Sequence, residues 1–236
     1  MKYTTVLFDA DGTLLDFHRC EREAVAEAFS AMGITASPDM LDEYSRINDS
    51  LWKMLERGEI EKYVLLYRRF EIFYEKYQIS ADAKQTSEEY KRSLSQKAYL
   101  IDGAEELCKR LYGKVKMYIV TNGLKSNQDS RLALCGLMKY FDGIFISEVT
   151  GFEKPQPEFF DYAAERIPCF DKAKTIIVGD SLSSDISGGI GYGIDTCWYT
   201  PEKKTAPSEL AKKITYTVYD YDGMYAAITE GDRRDG

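Results

Sequence analysis

The chain has 236 residues, of which 44% are hydrophobic, and its 31 basic and 39 acidic side chains leave a net charge of −8. This composition is typical of a globular protein with one large or two small domains, and it excludes the disordered and fibrous classes. Because a negatively charged protein repels a phosphate backbone, the charge also disfavours a nucleic acid polymer as partner.

Neither the start of the chain nor its cysteines indicate export. The apolar run at residues 1–8 is too short for a signal peptide and is followed at once by Asp9 and Asp11. No apolar stretch approaches the roughly 18 residues that a membrane-spanning helix needs. The five cysteines lie far apart and include no CxxC pair, so we expect reduced thiols in a soluble, cytoplasmic protein without membrane contact. The charged tail, residues 230–236, is expected to fray.

The first predicted strand, residues 4–8, is followed by a long segment without strand-like runs. Within residues 17–97, hydrophobic residues recur three and four positions apart, which predicts a bundle of amphipathic helices. The Ser37-Pro38 pair is typical of a helix start. Aromatic residues at this spacing usually pack a bundle interior, so none is assigned to a binding site. They are Tyr44, Trp52, Tyr63, Tyr67, Phe70 and Tyr74.

After residue 98, short β-branched or aromatic runs alternate with amphipathic stretches. The strands are predicted at 115–120, 143–147, 175–178, 196–199 and 214–218, and helices at 104–112, 127–137, 158–166 and 184–192. This alternation is typical of a parallel sheet with helices on both faces. We therefore predict a doubly wound, Rossmann-like α/β core formed by residues 1–16 and 98–236, with an all-helical domain, residues 17–97, inserted after the first strand.

The first strand ends in the string Asp9-Ala10-Asp11-Gly12-Thr13. Two carboxylates two positions apart in an extended segment point to the same side, and the glycine allows a tight turn that brings backbone N–H groups to an anion. That arrangement suits a divalent metal and a phosphate held together. Aspartate and glycine also occur in ordinary turns, but the carboxyl end of a strand is where open α/β sheets bind their ligands.

Two further candidates follow the next strands. Thr121-Asn122-Gly123 offers a hydroxyl, a carboxamide and backbone amides that could donate to phosphoryl oxygens, although the same string is typical of a turn. Lys154 lies between a turn and the helix that starts at Pro157. Most lysines are merely solvated, but one held in this place can neutralise a phosphoryl group and a nearby carboxylate.

The fourth candidate is the string from Gly179 to Asp185, directly after the apolar run at 175–178. Asp180 is exposed at the strand tip, and Asp185 can return toward the same centre across the turn, although it could instead be only a residue at a helix N-terminus. Carboxylate oxygens are the ligands that Mg²⁺ prefers. Four candidates thus follow four core strands at one edge of the sheet, which a purely structural reading does not explain.

These four strings resemble the motifs of the haloacid dehalogenase superfamily: DxDGT, a Thr or Ser after the second strand, a Lys, and GDxxxxD. The helical insert is similar to the first type of cap in that superfamily. The Lys-Pro-x-Pro-x-x-Phe run at 154–160 and the Gly-Asp-Ser-x-x-Ser-Asp run at 179–185 resemble the pyrimidine 5′-nucleotidase branch. Branches that act on sugar phosphates or phosphoglycolate share the catalytic motifs.

The resemblance implies a Mg²⁺-dependent phosphomonoesterase. In that reading Asp9 is the nucleophile and forms an aspartyl phosphate, Asp11 is the general acid and base, and Lys154 is part of the charge clamp. It further implies that Thr121, Asn122 and Gly123 bind the phosphate. The metal ligands would be Asp9, the backbone carbonyl of Asp11, Asp180 and, directly or through water, Asp185.

The expected substrate is a small phosphorylated metabolite, with a nucleoside 5′-monophosphate as the leading class and a sugar phosphate or phosphoglycolate as the alternative. Phosphoryl transfer back to the substrate, as in mutases, is not excluded by the motifs. An alternative of another class is a non-catalytic binding protein on the same fold. We expect a monomer or a small homo-oligomer.

Overall fold

Six strands form one parallel sheet in the computed structural model, which describes residues 1–231. The strands are β1 (Thr5–Phe8), β2 (Lys116–Thr121), β3 (Gly143–Ile146), β4 (Thr175–Gly179), β5 (Asp195–Tyr199) and β6 (Tyr216–Val218). Their order across the sheet is β3-β2-β1-β4-β5-β6, the doubly wound order of the Rossmann fold. The predicted fold class and all six predicted strands are confirmed, with strand ends shifted by one or two residues.

Eleven α-helices accompany the sheet among the described residues. They are α1 (Phe17–Ala31), α2 (Pro38–Glu56), α3 (Lys62–Tyr77), α4 (Ala83–Leu94), α5 (Ala104–Leu111), α6 (Lys125–Cys135), α7 (Ser147–Thr150), α8 (Pro157–Arg166), α9 (Ser187–Tyr192), α10 (Ser208–Ala211) and α11 (Tyr221–Thr229). Ser37 caps the N-terminus of α2 and Pro38 is its first residue, as the sequence predicts. None of the described helices is long and apolar enough to cross a bilayer.

The described residues divide into two compact units. The sheet unit contains Met1–Asp16, Leu100–Lys125 and the residues from Cys135 onward, and the helical unit contains Phe17–Tyr99 and Ser126–Leu134. Most of α6 therefore groups with the inserted helices, because the Arg131 guanidinium donates from Nε to the Lys97 carbonyl oxygen at 3.0 Å. Residues 232–236, the end of the predicted core range and of the tail expected to fray, lie outside the described residues.

The sheet unit is held by apolar packing on both faces of the central strands. β1 and β4 are buried at every position, as expected for parallel strands covered by helices on both sides. On one face, Phe159 and Phe160 of α8 pack against Leu7 of β1 and Ile177 of β4. This rigid core fixes the positions at which the strands end, and the candidate residues all follow those ends. No disulfide links the cysteines of the described chain.

Aromatic rings fill the interior of the helical unit. Phe29 of α1 stacks on Phe73 of α3 with ring centroids 4.7 Å apart, and Tyr44 of α2 lies 5.1 Å from Phe70. The prediction that these aromatic residues are core residues is confirmed for Tyr44, Phe70 and Tyr74. It is wrong for Tyr63, which is 64% exposed, because Tyr63 lies on the outer face of α3, while Lys62, Leu65 and Leu66 of the same helix are buried.

A buried polar network crosses the same helical unit. Glu21 of α1 is 2% exposed, and its carboxylate accepts from Ser45 Oγ and Asn48 Nδ2, both at 2.7 Å. Asn48 Oδ1 in turn accepts from Arg69 Nη1 at 2.9 Å. Burial, followed by the charge of Asp49, raises the pKa of Glu21 to about 7, while the hydrogen bonds and Arg69 act in the opposite direction.

The Glu21 network predicts a pH-dependent stability. Because its pKa is higher in the folded state than in the unfolded chain, folding takes up a proton between about pH 4.5 and pH 7, and stability falls as the pH rises through that range. Glu21→Gln removes the charge; its Oε1 can still accept from Asn48 Nδ2, and its Nε2 can donate to Ser45 Oγ, which reverses that hydrogen bond. We expect the free energy of unfolding of the variant, relative to that of the parent, to increase by up to about 3 kcal/mol as the pH rises from 5 to 8. Urea unfolding at both pH values measures this, and parallel pH profiles would contradict it.

Candidate active site

The candidate residues lie at the carboxyl edge of the sheet, on either side of the place where the strand order reverses. β1 and β4 are neighbours, and the Asp9 N–H donates to the Val178 carbonyl oxygen at 2.9 Å. Asp9 and Asp180 therefore leave the sheet side by side. In doubly wound sheets this switch point opens a crevice outside the strand ends, and ligands bind there.

Lys154 is the centre of the cluster. Its side chain is 1% exposed, and its Nζ donates to Asp9 Oδ1 at 2.7 Å, to Asp185 Oδ1 at 2.6 Å and to the Val120 carbonyl oxygen at 2.8 Å. Three acceptors match the three protons of an ammonium group. Burial by itself disfavours the charged form, but the carboxylates of Asp185 and Asp9 raise the pKa of Lys154 above its usual value. The three contacts therefore hold the Lys154 ammonium in a fixed position.

Three carboxylates surround one point beside this lysine. An oxygen atom from each of Asp9, Asp180 and Asp185 lies within 4.8 Å of the others. Burial raises the pKa of Asp9 well above the usual range, against the attraction of Lys154. The Asp180 side chain reaches solvent, but protein crowds its carboxylate, which together with the charge of Asp185 raises its pKa to about 7. One lysine does not balance three carboxylates, and this donor set fits a divalent cation that prefers oxygen ligands.

Two glycines allow this close approach. A Cβ on Gly12 would lie 2.5 Å from Asp180 Oδ2, and the φ of Gly12 is +83°, in the left-handed region. A Cβ on Gly179 would overlap the carboxylate of Asp185. The sequence predicts the tight turn at Gly12, whereas the need for a glycine at Gly179 depends on where Asp185 lies.

Asp185 is held in a wide helical turn. The π-helical turn Leu182–Ile186 follows the end of β4 and continues directly into α9, a distortion that often occurs at functional sites. Asp185 is fully buried, and its Oδ2 accepts from the Ser181 N–H at 3.2 Å. Asp185 therefore does more than stabilise a helix N-terminus, because its carboxylate contacts both Lys154 and Ser181.

Asp11 lies on the loop after β1 and is half-buried. Its backbone forms a bridge with Leu15, and the Gly12 N–H donates to the Leu15 carbonyl oxygen at 2.9 Å. The Asp11 carboxylate is outside the group of three that surrounds one point, but its charge contributes to the raised pKa of Asp180. Asp11 is thus fixed at the edge of the cluster, beside the metal-binding set.

The Thr121-Asn122-Gly123 string follows β2 at the same edge of the sheet. Thr121 is buried, and its Oγ1 accepts from the Gly123 N–H at 3.1 Å. Asn122 makes both of its side-chain hydrogen bonds to the backbone of Lys154, with Nδ2 donating to the carbonyl oxygen and Oδ1 accepting from the N–H, each at 2.8 Å. The predicted phosphate contacts of this string stay predictions, and the hydrogen bonds observed connect Asn122 to Lys154.

Sequence reasoning missed three contacts of this site. The Val120 carbonyl oxygen accepts from Lys154, the Trp198 indole Nε1 donates to the Asp180 carbonyl oxygen at 2.9 Å, and Thr13 Oγ1 donates to Asp180 Oδ1 at 3.4 Å. Thr13 stands inside the first motif, so its position was a usable signal. A backbone carbonyl and a tryptophan on β5 carry no such signal.

Comparison with known proteins agrees with these motifs. A family model for haloacid dehalogenase-like hydrolases matches residues 3–193. The HAD-hydrolase YfnB of Bacillus subtilis (strain 168) is 39% identical over 224 residues, 95% of this chain and 94% of YfnB. Pyrimidine 5′-nucleotidase PynA of Streptococcus pneumoniae (strain ATCC BAA-255 / R6) is 35% identical over 225 residues, 95% of this chain and 94% of PynA.

A second nucleotidase and a solved structure complete the comparison. Pyrimidine 5′-nucleotidase YjjG of Escherichia coli (strain K12) is 32% identical over 218 residues, 92% of this chain and 94% of YjjG. A crystal structure of YfnB bound to magnesium superposes on this structure with a TM-score of 0.92 at 38% identity, covering 97% of this chain and 100% of that one. Since the family model, full-length relatives and a solved structure agree, the chain belongs to the haloacid dehalogenase-like hydrolases and is an enzyme of that family.

Proposed function

We propose that this hydrolase is a Mg²⁺-dependent phosphomonoesterase that acts on pyrimidine nucleoside 5′-monophosphates. The observation that carries the proposal is the convergence of Asp9, Asp180 and Asp185 on one point, with Lys154 bridging Asp9 and Asp185. A phosphate ester needs cationic surroundings and a nucleophile in the same place, and this cluster supplies a lysine, a cation-binding set and a carboxylate.

Asp9 is the proposed nucleophile. Its carboxylate oxygen attacks phosphorus, a P–O bond to Asp9 forms, and the bond to the leaving alkoxide breaks. The Lys154 ammonium, 2.7 Å from Asp9 Oδ1, reduces the repulsion between the carboxylate and the negatively charged phosphoryl group. Because Lys154 is held by three acceptors, it needs no rearrangement when the charge moves onto the phosphoryl oxygens.

Asp11 is the proposed general acid and base. It donates a proton to the leaving alkoxide in the first half of the reaction and takes a proton from the water that hydrolyses the aspartyl phosphate in the second half. An aspartate two positions after the nucleophile favours phosphate chemistry over dehalogenation, because displacement of a halide requires no proton donor for the leaving group.

Asp9, Asp180 and Asp185 are the proposed side-chain ligands for Mg²⁺, together with the backbone carbonyl of Asp11. When bound, the cation neutralises charge that would otherwise keep the carboxylate and the phosphate dianion apart. The side chain of Thr13 and the indole of Trp198 contact Asp180, so they hold this ligand in place.

The substrate class is supported by two relatives, PynA and YjjG, that are named pyrimidine 5′-nucleotidases and match more than nine-tenths of this chain. The test is kcat/KM for dUMP, dTMP and UMP against sugar phosphates and phosphoglycolate, each measured with Mg²⁺ and after chelation. We expect the pyrimidine nucleotides to give the highest values and chelation to remove activity until Mg²⁺ is restored. A higher value for a sugar phosphate would overturn the nucleotide assignment. No turnover on the whole panel would favour a binding protein.

A further inference from the structure

Asn122 forms two hydrogen bonds with the backbone of Lys154, which lies in a distant part of the chain. Its carboxamide donates to the Lys154 carbonyl oxygen and accepts from the Lys154 N–H, both at 2.8 Å, across a separation of 32 residues. One side chain thus satisfies both backbone polar groups of Lys154, as a neighbouring strand would. The Lys154–Pro155 peptide bond is cis.

The other end of Lys154 is held by the same strand end. The ammonium donates to the Val120 carbonyl oxygen at 2.8 Å, and Val120 lies two residues before Asn122. The end of β2 therefore fixes both the backbone and the charged tip of Lys154. A lysine has a flexible four-carbon stem, so a fixed tip near Asp9 and Asp185 depends on a fixed backbone.

We propose that Asn122 is a positioning residue that acts on the phosphoryl group through Lys154. The proposal rests on the proposed function only because that function assigns Lys154 to the phosphoryl group. The hydrogen bonds between Asn122 and Lys154 do not depend on it. Both polar atoms of the Asn122 side chain bond the Lys154 backbone, which leaves the second Nδ2 proton as its one remaining donor. Misplacing a charged group by about 1 Å in an active site is enough to lower a rate about 100-fold. Loss of the Asn122 hydrogen bonds should therefore lower the rate measurably.

The test is a double-mutant cycle with UMP as substrate. Asn122→Ala is expected to lower kcat/KM by about 10- to 100-fold in the parent protein and to have no further effect in a Lys154→Met background. The matched control is Asn127→Ala, whose carboxamide donates to the Lys91 carbonyl oxygen instead and whose kcat/KM is expected to stay within about twofold of the parent. If Asn122→Ala lowers kcat/KM by the same factor in both backgrounds, Asn122 contacts the phosphate directly and the proposal is overturned.

A second measurement does not depend on turnover or on the folding of Lys154→Met. Acetic anhydride labelling of surface amines, followed by peptide mass analysis, reports how often Lys154 leaves its buried position. We expect Lys154 to label at least about fivefold faster in Asn122→Ala than in the parent, with exposed Lys174 as the internal reference. Unchanged protection of Lys154 would overturn the proposal. If the labelling of Lys154 changes while the substrate panel gives no turnover, the proposed function is wrong, but the conclusion that Asn122 positions Lys154 is retained.

Discussion

Asp9→Asn is expected to lower kcat for UMP by at least about 10⁴-fold while leaving the fold intact. A neutral carboxamide oxygen cannot replace a carboxylate as the nucleophile that attacks phosphorus. The same oxygen can still accept from Lys154 Nζ, so the buried lysine keeps a partner. Because the pKa of Asp9 is raised in the folded protein, its ionised form opposes folding at neutral pH. Removing that charge is therefore expected to leave thermal stability unchanged or higher.

A lower kcat together with unchanged or higher thermal stability distinguishes a catalytic defect from a folding defect. Initial rates with UMP and Mg²⁺ measure kcat, and thermal unfolding followed by circular dichroism measures the stability. The matched control is Asp39→Asn, which makes the same chemical change at an exposed position of α2 and is expected to keep the parent kcat. An Asp9→Asn enzyme that kept more than a few per cent of the parent rate would remove Asp9 from the nucleophile role.

Gly179→Ala is expected to damage both activity and stability through a single methyl group. Its Cβ would lie closer than 3.0 Å to the carboxylate of Asp185. Asp185 has no room to move, because it is fully buried and held by Lys154 at 2.6 Å and by the Ser181 N–H at 3.2 Å. Relief of the overlap must therefore displace Asp185 and, with it, Lys154. We expect kcat/KM to fall about 100-fold and Tm to fall by about 2–10 °C.

Gly191→Ala is the matched control for Gly179→Ala. Gly191 lies in α9, and a Cβ built there meets no atom within 4 Å. Since alanine is the better helix former, we expect Gly191→Ala to be stabilising by about 0.5–1 kcal/mol and to keep the parent kcat/KM. Near-parent kcat/KM in Gly179→Ala would mean that the position of Asp185 does not limit catalysis.

Much of the fold could be predicted from the sequence because its signals are local. Each strand is a short apolar run, and its alternation with helical patterns excludes most other topologies. Where the prediction differed from the structure, the deciding information was not local. The exposure of Tyr63 depends on which face of α3 packs against the other helices, and the grouping of residues 126–134 with the helical unit depends on contacts such as that of Arg131 with Lys97.

The sequence by itself determined which chemical groups follow three of the strands: Asp9 after β1, Lys154 after β3 and Asp180 after β4. Parallel strands bring their carboxyl ends to one edge, so a shared site follows from order and pattern alone. Only the tertiary structure decided which atoms meet there, since the contacts of Asn122 with Lys154 and of Lys154 with Asp9 join residues 32 and 145 positions apart. Hydrogen bonds are made at about 3 Å, a precision that depends on strand register and side-chain packing rather than on residue type.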